Sequence, residues 1–248
     1  MAIGVLITAR LKSKRLPKKI IKKINTEDSI IKFLIKRIKL NFSRKNIVII
    51  TSKSNQDKIL EKVAVSEKIN IFKDEPLDVL KRIYLAAKKF KYKNFISCTA
   101  DNPFIDSYYA KKMLKFHIKE KNDLTIMKGL PLGTFSYAIN FRGLKKSIIN
   151  KNSKNTETWV GYFTKNKKLK VGYYKINFNY KGVSKDIRLT IDYLKDLTFV
   201  REILKKTKLK QPSLTNIINI LNKYPNLLKI NSHLRQKPET KPLFKKNI

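Results

Sequence analysis

Apolar residues along this chain come in short bursts separated by polar, lysine-rich stretches. Ile3 to Thr8 and Asn46 to Thr51 are brief runs dominated by β-branched and aliphatic residues, which predicts two buried strands. Between them Ile30, Ile31, Phe33, Leu34, Ile35 and Ile38 recur at helical spacing, predicting a helix over 29–40. The rhythm continues with a helix over about 55–67, a strand at 70–72, a helix over about 77–90, a strand at 94–99, a helix over about 107–120 and a strand at 124–127. Strands that alternate with helices pair in parallel, because each right-handed crossover returns the chain to the same edge of the sheet. The expected class is therefore α/β, one mixed but mostly parallel sheet with helices on both faces. Ligands of such sheets bind at the carboxyl ends of the strands.

After residue 128 the pattern loosens. Lys128 to Thr134 is a Gly/Pro loop, followed by an expected strand at 135–140 and helical stretches around 143–150 and 156–165. Strands are expected near 170–178 and at 188–191, then a helix over 194–206 and a short one over 213–223. The organisation expected is a domain over 1–206 and a helical extension over 207–248, with a basic, proline-punctuated end that is mobile after about residue 234.

With 248 residues, 42% of them hydrophobic, the chain can bury one large core. Its 57 Lys and Arg against 18 Asp and Glu leave a net charge of +39, a field that attracts nucleic acid, anionic membranes and phosphorylated metabolites alike. The cations are mostly lysines spread over every segment among abundant Asn and Ile, and no RNP, zinc or helix-turn-helix signature accompanies them. Compositional bias is thus favoured over a nucleic-acid footprint. The single cysteine, Cys98, sits in an apolar run and reads as core filler, while His117 and His233 lack any metal-ligand spacing. The first residues carry no basic segment ahead of an apolar one, and no run approaches the ~18 apolar residues of a membrane span. A soluble, cytoplasmic protein without membrane insertion is expected.

Two places bear candidate chemistry. Directly after the first strand come Thr8-Ala9-Arg10-Leu11-Lys12-Ser13-Lys14-Arg15-Leu16-Pro17-Lys18-Lys19. A buried strand opening into a polar, cationic loop is a common way of presenting backbone N–H groups and long cations to a polyphosphate. Solvated surface cations with an ordinary proline turn are the competing reading. The second place is a pair of carboxylates at strand ends: Asp101 after 94–99 and Asp192 after 188–191. Acidic residues are scarce in this chain, and two of them on the edge that holds the cationic loop could share Mg²⁺, which takes one or two carboxylates together with water and substrate phosphates. Asp106 reads instead as a helix N-cap.

Taken together these residues resemble the CMP-sugar cytidylyltransferases, the family that activates acylneuraminate and 3-deoxy-octulosonate sugars, and most closely its spore-coat-polysaccharide branch. The family pattern Ala-Arg-x-x-Ser-x-Arg-Leu-Pro-x-Lys is matched by Ala9, Arg10, Ser13, Arg15, Leu16, Pro17 and Lys19. Asp78-Val79-Leu80-Lys81-Arg82 is similar to the stretch near the nucleobase, Asp101-Asn102-Pro103 to the metal-binding Gly-Asp-x-Pro, and Arg188 to Asp192 to Arg-Leu-Thr-Val-Asp. The resemblance implies a single Rossmann-like nucleotidyltransferase domain, often homodimeric, in which a sugar hydroxyl attacks the α-phosphate of CTP and pyrophosphate leaves. It implies that Ala9, Arg10, Ser13, Arg15, Lys19 and Arg82 bind CTP, with Arg10 and Lys19 on the β and γ phosphates and Arg82 donating to O2 and N3 of cytosine. It assigns Mg²⁺ to Asp101 and Asp192, and catalysis to these two with Arg10 and Lys19. Transfer from a nucleotide with another base, a homologue that binds nucleotide without turnover, and a basic nucleic-acid-binding protein are the alternatives. The chain departs from the family pattern at Lys18 and Ala100, where Gly is usual, at Tyr193 to Asp196, and at Glu157-Thr158, where Glu-His is frequent.

Overall fold

Strands that send successive side chains to opposite faces need two cores, and the chain builds both. The computed structural model describes residues 3–236 and 241–245. Strands β1 (Ile3–Thr8), β2 (Ile47–Ser52), β3 (Asn70–Asp74), β4 (Asn94–Thr99), β5 (Leu124–Lys128), β6 (Tyr137–Asn140) and β7 (Val171–Lys175) form one sheet in the order β3-β2-β1-β4-β6-β5-β7. Helices are α1 (Ile30–Lys39), α2 (Ile59–Ser66), α3 (Val79–Lys89), α4 (Ser107–Lys119), α5 (Phe141–Ile149), α6 (Gly161–Thr164), α7 (Leu194–Lys205) and α8 (Leu214–Lys223). Val5, Ile7, Ile47, Ile49 and Ile96 pack under α1, α2, α4, α7 and α8, whereas Leu6, Val48, Ile50 and Phe95 face α3, α5 and α6. Each fully buried aliphatic side chain contributes roughly 1.5–3 kcal/mol, so the two layers fix the sheet between them.

Pairing is parallel except at β6, which runs antiparallel to both β4 and β5. The Gly/Pro loop between β5 and β6 therefore lies on the same edge as the loop after β1 and the end of β4. This is the α/β architecture expected, with its carboxyl edge carrying the candidate residues.

Some expectations fail locally. The strand expected at 188–191 is a single bridge from Arg188 to Leu132. That segment lies on the Gly/Pro loop instead of on a strand, with the Leu189 N–H donating to the Leu132 carbonyl (2.8 Å) and the Ile191 N–H to the Asp101 carbonyl (2.9 Å). Gly133, at φ 94°, permits the approach, because a Cβ there would stand 2.3 Å from the Thr190 nitrogen. The helix expected over 156–165 shortens to α6, since Thr156 and Glu157 are drawn into side-chain contacts described below. Of the basic end, 237–240 and 246–248 lie outside the described residues. Residues 241–245 are docked: Phe244 bridges Lys151 and stacks edge-on to Tyr162 at 5.6 Å.

Lysine takes several backbone positions where glycine is the usual choice. Lys68, Lys91 and Lys121 each follow a helix in the left-handed region, with φ of 52°, 56° and 52°. Each such residue carries a steric cost of about 1 kcal/mol that glycine avoids.

His117 lies wholly inside, its Nδ1 2.9 Å from Thr125 Oγ1, and burial lowers its pKa to about 4. An unfolded histidine binds its proton near pH 6.5, so acidification between those values favours the unfolded chain, by up to about 3 kcal/mol. Urea midpoints measured at pH 7 and pH 4.5 should show this loss, and His117→Gln should shrink it. An equal loss in both proteins would place the responsible proton elsewhere.

Candidate active site

The loop after β1 is held from behind. Ala9 extends the strand, its N–H donating to the Ile50 carbonyl (3.0 Å) and its methyl packed in the core. Asp57, 1% exposed, accepts from the Leu11 N–H at 2.8 Å and from the Ser52 hydroxyl, tying the loop to the end of β2. Ser13 Oγ accepts from the Leu16 N–H, and the Lys18 N–H closes back on the Leu11 carbonyl. Lys18 adopts φ 53°, the left-handed geometry its glycine counterpart would take without strain. The backbone N–H groups of Arg10, Lys12, Ser13, Lys14 and Arg15 donate to no acceptor among the described residues. A run of free amides in a tight loop is an anion-binding concavity.

Beneath that loop the candidate carboxylates and cations converge. Lys19, 8% exposed, places Nζ 2.7 Å from Asp101 Oδ2 and 2.9 Å from Asp192 Oδ1. Arg15 Nη2 lies 2.7 Å from the same Asp192 oxygen, with its guanidinium 5.2 Å from the ring centre of Tyr193. Arg188 takes the other Asp192 oxygen at 2.8 Å. Burial alone would push the Lys19 pKa down, but Asp101 and Asp192 outweigh it and hold the ammonium above its ordinary value. Burial would likewise raise the Asp192 pKa, and Lys19, then Arg15 and Arg188, bring it below the usual range. Both groups stay charged at neutral pH.

Two candidates stand where sequence reasoning did not put them. Arg10 is ion-paired with Glu157, closing the loop against the 151–158 segment. Arg82 is fully buried, its Nη1 holding the Glu75 (2.9 Å) and Pro76 (3.3 Å) carbonyls while Nε and Nη2 have no partner among the described residues. Donation from Arg82 to a base would require the 75–78 turn to open. Asp78 caps α3 and accepts from Thr156 Oγ1 (2.9 Å) and Lys151, which clips the 151–158 segment to the start of that helix. Asp106 caps α4, as expected. Thr8 Oγ1, Thr51 Oγ1 and Asp74 Oδ2 at the ends of β1 to β3, and Asn102 Oδ1 in the turn after β4, are also buried without partners among the described residues. Orphaned buried groups cost roughly 1–3 kcal/mol each, a concentration that suits a site completed by ligand.

No cluster of three or more metal-ligating side chains occurs among the described residues, and no helix of theirs is long and apolar enough to cross a membrane. The side chains that could hold a divalent cation here are the pair Asp101 and Asp192. It fits a hard cation that takes the rest of its shell from phosphate and water, since both carboxylates already converge on one positive centre and Asp101 has one oxygen engaged.

Sequence reasoning missed Asp57, Glu157 and Asp196 as parts of this site. Asp57 has no motif around it, and only the fold brings it to Leu11.

Comparison with known proteins places this seven-stranded sheet and its carboxyl edge among the nucleotidyltransferases. The cytidylyltransferase family model matches residues 4–220. An uncharacterized protein of Methanocaldococcus jannaschii is 30% identical over 238 residues, covering 96% of this chain and 97% of the relative. The spore coat polysaccharide biosynthesis protein SpsF of Bacillus subtilis is 26% identical over 230 residues, 89% of this chain and 94% of the relative. The structure of a cytidylyltransferase from Leptospira borgpetersenii superposes with a TM-score of 0.86 at 25% identity, covering 95% of this chain and 100% of that one. A CMP:2-keto-3-deoxy-manno-octonic acid synthetase complexed with CTP shares the fold, with a TM-score of 0.64 at 11% identity over 83% of this chain and 99% of that one. The chain belongs to the cytidylyltransferase family.

Proposed function

We propose that the protein transfers CMP from CTP to a sugar, a sugar acid destined for a surface polysaccharide, and releases pyrophosphate. The observation that carries this reading is the set of free loop amides at 10 and 12–15 beside the Lys19–Asp101–Asp192 centre. SpsF, named for polysaccharide synthesis, and the CTP-bound synthetase support the substrate class.

In this reading the loop amides, Arg10 and Lys19 hold the β and γ phosphates, with Ser13 and Arg15 shaping the loop around them. Charge builds on the departing pyrophosphate as its bond to the α-phosphorus breaks, and fixed donors that need no reorganisation stabilise it. Asp101 and Asp192 would hold Mg²⁺, which polarises phosphate oxygens and offsets their repulsion toward the incoming hydroxyl. Arg10, ion-paired with Glu157, would exchange that exposed partner for phosphate oxygens. The orphaned groups on β1 to β3, with Arg82 behind the 75–78 turn, line the side where cytosine and ribose lie. A site built to match the cytosine N3 acceptor rejects uracil, which presents a donor there.

Thermal shift tests this directly. CTP with magnesium at 100 times its dissociation constant should add roughly 2.7 kcal/mol of stability, with ATP, GTP and UTP far behind. Equal shifts from all four nucleotides would return the site to the general polyanion attraction expected of a +39 chain.

A further inference from the structure

The Asp192 carboxylate is aimed by a guanidinium, and that guanidinium is itself held by a part of the chain far along the sequence. Arg188, 5% exposed, has all its edges filled: Nη2 on Asp192 Oδ2 (2.8 Å), Nε on Asp196 Oδ1 (3.0 Å) and Nη1 on Gln236 Oε1 (2.8 Å). Asp196 is wholly buried and fixes the turn around Asp192, accepting the N–H groups of Asp192 and Tyr193, each at 2.9 Å. Asn231, 2% exposed, completes the cluster by donating to Asp196 Oδ1 and to the Arg188 carbonyl, both at 3.0 Å. Asn231 and Gln236 follow the helical turn at Pro225–Ile230, beyond the residues 4–220 that the family model matches.

We propose that the segment 225–236 is a positioning element of the reaction site, holding Arg188 in one plane and thereby aiming Asp192 at the cation it shares with Asp101. This rests on the divalent-cation reading of that pair given above. A guanidinium is a rigid fork, so anchoring Nε and Nη1 fixes where Nη2 presents its hydrogen to Asp192. With Oδ2 pinned, Oδ1 is the oxygen left to face Lys19, Arg15 and an incoming cation. Asn231 acts twice, because losing it removes one donor from Asp196 and releases the carbonyl of Arg188. The extension thus has a task at the site although neither Asn231 nor Gln236 touches the shared cation's ligand oxygens.

The test compares full-length wild type with Asn231→Leu, Gln236→Met and Gln236→Glu, titrating Mn²⁺ by electron paramagnetic resonance well below the melting temperature. Outer partners of metal ligands typically contribute 10- to 100-fold to affinity. Asn231→Leu should weaken Mn²⁺ binding by roughly 10- to 100-fold and Gln236→Met by roughly 10-fold, while Gln236→Glu keeps the acceptor for Arg188 and wild-type affinity. The thermal shift given by CTP without divalent metal should be the same in all four proteins. Melting temperatures that fall while Mn²⁺ affinity stays within about twofold of wild type would make the segment merely structural and overturn the proposal. Wild type that holds no Mn²⁺ would overturn it as well, and its response to CTP judges the nucleotide reading separately. If Asn231→Leu fails to fold, the Gln236 pair decides alone, since that side chain is exposed.

Discussion

Asp101→Asn and Asp192→Asn are each expected to abolish pyrophosphate release, yet to differ widely in stability. Both remove one of the two carboxylates proposed to share a divalent cation, so turnover should fall below detection in either case. Asp101 is one-quarter exposed and, among the described residues, ion-pairs with Lys19 alone, so neutralising it should cost under about 1 kcal/mol of folding stability. Asp192 is 4% exposed and sits among Lys19, Arg15 and Arg188. Removing its charge strands buried cations, and breaking a buried pair by deleting one partner costs about 3–5 kcal/mol. Denaturant melts read beside a pyrophosphate assay separate the two effects. Near-normal turnover at low magnesium in either variant would return that residue to a structural role, and equal stability losses would contradict the burial argument.

The same centre sets a pH dependence. The Asp192 pKa is lowered in the folded state, so its contribution is complete above the unfolded value near 3.9 and is lost as pH falls below it. The Lys19 pKa is raised, so its contribution is complete below about 10.4 and is lost as pH rises through the folded value. Asp192→Asn should therefore flatten the acid limb of the stability curve, and Lys19→Met the alkaline limb.

Lys19→Ala and Arg10→Ala should each lower kcat/KM for CTP by about 30- to 1,000-fold, the equivalent of 2–4 kcal/mol of transition-state stabilisation by a preorganised donor. Lys167 and Lys168, exposed in the turn before β7, contribute to the general field only. Replacing that pair should change kcat/KM little at moderate ionic strength, where charges separated by more than about 8–10 Å are screened. The two loop variants should differ from one another. Lys19 is buried between carboxylates and its loss leaves them facing each other, so Lys19→Ala should also lower stability; Arg10 pairs with the exposed Glu157, and Arg10→Ala should leave the melt nearly unchanged. Similar activity losses from the loop pair and from Lys167 and Lys168 would mean that the positive field as a whole recruits the nucleotide.

The sheet and most of its helices were legible because period-2 and period-3.6 patterns are local. Ile3 to Thr8 can bury both faces only as a strand, and Ile30 to Ile38 can form one apolar stripe only as a helix. The loop at 9–19 was legible for a related reason: its chemistry sits in one continuous stretch, and strand-to-loop polarity shows in the sequence. Asp101 could be picked out because a chain of net charge +39 has few acids and α/β topology sends the end of β4 to the carboxyl edge; for Asp192 the scarcity of acids was the sound signal, since no strand carries it there.

What the sequence determined by itself, then, is everything that depends on neighbours a few residues apart: strand and helix positions, the cationic loop, the acid before each candidate turn. Tertiary structure decided which of those groups meet. Asp57 reaches Leu11 across 46 positions, Glu157 reaches Arg10 across 147, and Lys19 finds Asp192 across 173. It also replaced an expected strand at 188–191 by an irregular segment resting on the Leu132 and Asp101 carbonyls, so that Asp192 arrives at the site without a sheet strand to carry it. Arg82, the last residue of the 78–82 stretch whose resemblance implied a place near the nucleobase, is turned inward to hold the Glu75 and Pro76 carbonyls. Long-range ion pairs leave no periodic trace, because their energy depends on distance and burial in the folded chain and not on spacing along it.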